Sequence, residues 1–201
     1  MGSPDSGSMV GIRLSWITAL LVGMLAGQAG AQFHGDYRPL PAPLETAIDS
    51  ADVELIVRAR ASAIRNDMDP GNTRDGVVGQ LPATVVTIAL IEVWKDQDVF
   101  KPGRSYEIRH SGFNADAQAS EEVRKGSDPQ WPPMEVGREY VLFVFINQSG
   151  KLHFYSPQGV FGAHEGKVLP LVRSSVGETW KGKPWERFLQ AIRRHSRKRP
   201  R

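Results

Sequence analysis

Cysteine is absent from all 201 residues. That excludes thiolate nucleophiles, cysteine-bound zinc, dithiol redox chemistry and disulfide staples, so the fold must be held by its apolar core. Histidine is scarce. His34, His110, His153, His164 and His195 are the five in the chain, and none stands at an H-x-x-x-H or similar ligand spacing. His110 and His153 both fall in expected strands and are the pair able to meet across a sheet, as a zinc or copper pair would. His164-Glu165 lacks the second histidine of a zincin motif and reads as a hairpin turn. A G-x-S-x-G elbow and a glycine-rich phosphate loop are missing too. The stretch Asp67-Met68-Asp69-Pro70-Gly71-Asn72-Thr73-Arg74-Asp75-Gly76 carries oxygen ligands, but Gly71 occupies a ligand position and no glutamate closes the loop. An ordinary solvated turn is expected there rather than a calcium site. The chain is expected not to be an enzyme, with no catalytic, metal-binding or cofactor-binding residues and no cofactor. A metal-dependent hydrolase is the weaker alternative.

Only one apolar run looks out of place in a folded core. After Arg13, Leu14–Ala26 is mostly apolar, and Ala29-Gly30-Ala31 follows with the small-x-small pattern at which signal peptidase cuts. The run is shorter than the roughly 20 residues needed to cross a bilayer. Residues 1–31 are therefore expected to be an export signal with a polar leader, and Gln32 the mature N-terminus; an uncleaved anchor is the alternative. No cysteine lies nearby for lipoprotein anchoring. A periplasmic or secreted location follows, with no integral membrane domain after cleavage. The rest of the composition, 40% hydrophobic and 23% charged overall, is that of a soluble globular chain.

The net charge is +3 and the pI about 9.3, but the excess is concentrated in Arg193–Arg201. Without that stretch the chain is slightly acidic, which gives no argument for a basic nucleic-acid face on the fold. Arg193, Arg194, Arg197, Lys198, Arg199 and Arg201 are candidate contacts to a polyanion or an envelope surface. The plainer reading is a free, solubilising tail.

Between these ends the pattern is that of strands. Residues 32–50 are expected to form a linker and a short helix at Leu44–Ile48. Val53, Leu55, Val57, Ala59 and Ala61 alternate onto one face of a half-buried strand. Asn66–Pro82, dense in Asp, Gly, Asn and Pro, reads as a loop. Thr84–Trp94 is β-branched and apolar on both faces, Ser105–His110 alternates, Glu139–Ile146 is a buried strand, and Lys151–Tyr155 pairs back on it. Gly159–Phe161 and Lys167–Leu171 flank the turn at His164-Glu165-Gly166. Trp185, Phe188, Leu189 and Ile192 recur at helical spacing behind Pro184. Trp94 and Trp185 read as core residues. Five main strands, a long excursion over Gly112–Gly137 and a closing helix predict a mainly β fold. The expected form is a small five-stranded antiparallel Greek-key (OB-like) barrel spanning 51–192, with a basic tail over 193–201. A β-sandwich is the alternative.

The order of pieces resembles a known superfamily. Ala51-Asp52-Val53 opens the first strand, and Trp94-Lys95-Asp96 ends the second. Lys101-Pro102-Gly103 turns the chain, Val136–Phe143 enters the fourth strand, and Ser156-Pro157-Gln158-Gly159-Val160-Phe161 precedes the aromatic helix. Over roughly 51–192 this is similar to the cysteine-free bacterial relatives of the tissue-inhibitor-of-metalloproteases and netrin-module superfamily, which implies an OB-like barrel. Animal members of that superfamily inhibit metalloproteases by laying an N-terminal cysteine on the catalytic zinc. With no cysteine here, neither that mechanism nor any functional residue carries over.

What remains is a binding module. Loops on small barrels commonly carry function. Trp131 in the long excursion, with Arg124 and Lys125, forms the candidate partner-binding set. The opposing expectation for Trp131 is that it tucks back as a lid over the core. The expected partner is another envelope or extracellular protein.

Overall fold

A computed structural model describes residues 39–72, 78–95, 99–115, 120–127, 131, 133–147 and 150–197. The side chains of 69–72, 78–80, 122, 125 and 126 fall outside that description. So do the apolar N-terminal run, its cleavage pattern and Lys198–Arg201.

Among the described residues seven strands form one sheet: β1 (Leu55–Asn72), β2 (Val78–Lys95), β3 (Ser105–Ser111), β4 (Glu139–Ile146), β5 (Leu152–Phe154), β6 (Val160–His164) and β7 (Lys167–Pro170). Their order is β1-β2-β3-β5-β4-β6-β7, and β1 also pairs with β4. The pairing β1-β2-β3-β5-β4-β1 therefore runs round a ring, antiparallel throughout except for the parallel step from β3 to β5. β5 and β6 lie along the same edge of β4, separated by a 3-10 turn at Pro157–Gly159. β6 and β7 close through Glu165 (φ 49) and Gly166 (φ 69), the left-handed pair that a two-residue hairpin turn needs. The His164-Glu165-Gly166 hairpin is as expected from sequence. The sheet holds more than the expected five strands because the chain after β4 is divided at the 3-10 turn and then folds back as β7.

Among the described residues four helices accompany the sheet: α1 (Leu44–Asp49), α2 (Glu121–Gly126), α3 (Ser175–Trp180) and α4 (Trp185–Ser196). Among the described residues no helix is long and apolar enough to cross a membrane. α4 continues through Ser196, so Arg193 and Arg194 are helical rather than the start of a free tail.

Alternation along the strands builds two cores. Leu55, Val57, Ala59 and Ala61 of β1 share the ring interior with Val86, Ile88, Ile108, Leu142, Val144 and Phe154. Val53, expected on that face, joins the other cluster instead, because β1 starts at Leu55 and the chain before it is not yet pleated into the strand. The second cluster lies on the opposite face. Ile56, Val141, Phe143 and Phe161 meet Trp185, Phe188, Leu189 and Ile192 of α4 there, with Trp94 at its margin. β4 thus buries both faces, Tyr140, Leu142 and Val144 on one side and Val141 and Phe143 on the other. This is why it reads as a continuous apolar run rather than an alternating one.

Candidate interaction surface

The segment over Asn66–Pro82, expected as a loop, is instead mostly strand. Asp67–Asn72 continue β1 and pair with β2 through Asp67↔Ala83, Met68↔Pro82 and on to Asn72↔Val78. An ordinary turn at Asp67–Asn72 is therefore corrected to a ladder; 73–77 lie outside the described residues. Turn-forming residues gave the loop reading, but backbone pairing overrides local propensity here. Pro70 is tolerated because β4 accompanies β1 only over Leu55–Arg60, so that among the described residues the outer edge of β1 beyond Arg60 carries no ladder for proline to break.

The ladder outruns the ring. β4 leaves β1 at Arg60↔Glu139, and β3 leaves β2 at Ala83↔Ser111. Beyond Asp67↔Ala83 the two strands project as a ribbon of about 17 Å, taking roughly 3.3 Å per residue. Its base is clamped on both faces. On one, Thr84 Oγ1 donates to the Gly112 carbonyl at 2.7 Å, the Asn114 amide donates to Asn66 Oδ1 at 2.8 Å, and the Gly112 amide donates to the Pro82 carbonyl at 2.8 Å. On the other, Arg65 grips both oxygens of Glu107 at 2.7 and 3.2 Å, and Arg109 faces Asp67 at 3.5 Å. Met68, just past the clamp, is 40% exposed and is one of three large exposed hydrophobics among the described residues.

The excursion between β3 and β4 does not present Trp131 outward. Trp131 is 6% exposed and lies in the ring-interior core, stacked on His110 at 4.2 Å and tilted against Phe154 at 5.1 Å. It is the lid of the two expectations, not a free anchor. Arg124 is exposed on α2, and the side chain of Lys125 lies outside the described residues. The histidine pair does not meet either. Parallel pairing sets Arg109, not His110, opposite His153. His153 therefore stacks on Phe145 on the outer face, while His110 faces inward with Nδ1 2.8 Å from the Ser111 carbonyl. Among the described residues no group of three His, Asp or Glu side chains is placed to hold a metal.

Arg193 is engaged by the fold. Its Nε lies 2.8 Å from Glu92 Oε2 and its Nη2 2.5 Å from Glu92 Oε1. Glu92 also accepts from Arg58, at 3.3 Å, and from Trp94 Nε1, at 3.1 Å. Arg58 in turn donates twice to Glu139, at 2.7 and 3.0 Å. The network ties α4, β2, β1 and β4 together. Its signal in the sequence is a lone acid, Glu92, inside the most apolar strand. Arg194 and Arg197 are exposed, and Lys198, Arg199 and Arg201 lie outside the described residues.

The network makes stability depend on pH. Hydrogen bonds from Arg193 hold the Glu92 carboxyl below its ordinary value of 4.5, against the opposing effect of burial and with help from Arg58. Burial acts most strongly on Glu139, pushing its carboxyl up, but the bonds from Arg58 and Arg60 together outweigh it and the net direction is down. A carboxyl depressed in the folded state stabilises above its unfolded pKa and loses that contribution as pH falls through the folded value. Chemical-denaturation midpoints are therefore expected to drop as pH is lowered below about 4.5. In Glu92→Gln the molecule is less stable at neutral pH by about 1–2 kcal/mol, and that acid slope flattens. An unchanged slope in the variant would remove Glu92 from the account.

No protein-family model matches this chain, and no curated protein matches it.

Proposed function

We propose that the chain is an exported, non-enzymatic binding module built on an OB-like barrel, and that it engages another envelope or extracellular protein through the β1–β2 ribbon. The observation that carries this reading is the ribbon itself. A two-stranded ribbon buries little and is marginal alone, yet this one is clamped at its root by side chains of β1, β2 and β3 and by backbone groups of the β3–β4 excursion. Rigid placement of an exposed two-stranded edge suits recognition of an extended partner segment by added strand pairing. Met68 supplies exposed apolar area beside that edge.

The OB-like assignment draws support from the ring β1-β2-β3-β5-β4-β1, from the parallel step between β3 and β5, and from helix α2 in the connection from β3 to β4. The same features favour the resemblance to the metalloprotease-inhibitor and netrin-module superfamily. Export rests on the apolar run Leu14–Ala26 and Ala29-Gly30-Ala31.

The test compares the chain with a variant in which residues 68–82 are replaced by a short Asn-Gly hairpin turn, which keeps Asp67 opposite Ala83, both used as bait in envelope extract at moderate salt. One protein held by the intact chain and lost by the short-ribbon variant, whose melting temperature is kept, is the expected result. Equal retention by both baits, or retention only of acidic material lost at moderate salt, would sink the proposal.

A further inference from the structure

A second surface lies on the exposed side of α4, distinct from the ribbon. Between α1, the end of α3 and α4 runs an open groove of about 680 Å³. Arg187 and Arg194 line it and are exposed. Seven residues apart, they sit two turns along one helix face, about 10 Å apart along the axis. Among the described residues neither guanidinium has an ion-pair partner, in contrast to Arg193 on the adjacent face, which is spent on Glu92. His195, which also lines the groove, is turned to Asp49, with its Nε2 2.9 Å from Asp49 Oδ2. Gln190 lies between the two arginines, and Glu45 of α1 stands across from them.

We infer that this groove binds a linear polysaccharide containing uronic acid. Two planar guanidinium forks at fixed spacing match carboxylates, which they can bind bidentately. The amide of Gln190 and the carboxylate of Glu45 match hydroxyl groups, the first by donating and accepting, the second by accepting. A ligand bearing carboxylates and hydroxyls in alternation satisfies all four side chains. A single nucleic-acid strand needs an open aromatic platform for its bases. Of the two rings in the groove, His195 is turned to Asp49, and Trp180 packs on Phe188 at 5.2 Å and carries the Lys183 ammonium 5.0 Å from its centroid. The groove is concave, which fits a chain better than a flat lipid surface, and it lacks the desolvated apolar pocket that anchors a protein partner.

The experiment titrates the full-length chain with oligogalacturonate by calorimetry, with neutral dextran as control. Binding to oligogalacturonate and not to dextran, weakening with added salt, is expected. Arg187→Gln/Arg194→Gln should reduce affinity about 30-fold, the effect of roughly two surface charges, at unchanged melting temperature. Glu45→Ala should weaken binding several-fold, because a hydroxyl acceptor is lost. The inference is overturned if oligogalacturonate does not bind, if the double substitution leaves affinity intact, or if Glu45→Ala strengthens it. It is equally overturned if an oligothymidylate, polyglutamate or phosphatidylglycerol vesicles bind as tightly at equal charge.

Discussion

Truncating Phe188 to alanine is expected to remove about 3–5 kcal/mol of stability, as for other fully buried aromatics. Phe188 has no exposed surface and is the hub of the outer core. Its ring lies 5.1 Å from Phe161 on β6, 5.2 Å from Trp180 at the end of α3 and 5.8 Å from Trp185 one turn back on α4. The deletion opens a void lined by three rings that are each pinned by a different element, so collapse cannot fill it cheaply. Chemical denaturation should show a lowered midpoint with an unchanged slope. Phe188→Leu should retain most of the stability, because volume and apolarity largely survive. A Phe188→Ala loss under about 1 kcal/mol would mean that α4 is not docked on β4 and β6 as described.

Trp131→Ala carries the second large effect, about 3–5 kcal/mol by the same reasoning, and it separates two roles for one residue. A partner anchor on a loop costs binding when truncated and leaves the fold alone. A lid costs the fold. Trp131 stacks within 12° of the His110 ring plane and tilts against Phe154 over the ring interior. Its removal exposes Phe154, Met134 and neighbouring core side chains to water. A stability loss, partly rescued in Trp131→Phe through the retained stack, is the expected pattern. Unchanged stability with lost partner binding would return Trp131 to the surface role that its place in a long polar excursion suggests.

The strands of the ring were legible because side-chain alternation records which faces are buried, and burial is a local imprint of the core. Leu55, Val57, Ala59 and Ala61 declare one buried face through their alternation alone. The α4 stripe Trp185, Phe188, Leu189 and Ile192 does the same, because its helical period admits one buried side. The short helices α2 and α3 left no such imprint. Ser174 nonetheless caps α3 by accepting from the Gly177 amide at 2.9 Å.

The amino-acid sequence by itself determined the absence of thiol chemistry, the mainly β class, the apolar stripe of α4 and the alternating buried face Leu55, Val57, Ala59 and Ala61. Tertiary structure alone decided the rest. The ribbon exists because two segments rich in turn formers find each other in register, a pairing free energy that no local window contains. His110 and His153 part company because a one-residue offset between β3 and β5 sends them to opposite faces. Arg193 leaves the basic tail for the fold because Glu92, 101 residues earlier, waits opposite it on β2. Side-chain alternation writes burial into the sequence locally, whereas partners are assigned only when distant strands close the ring.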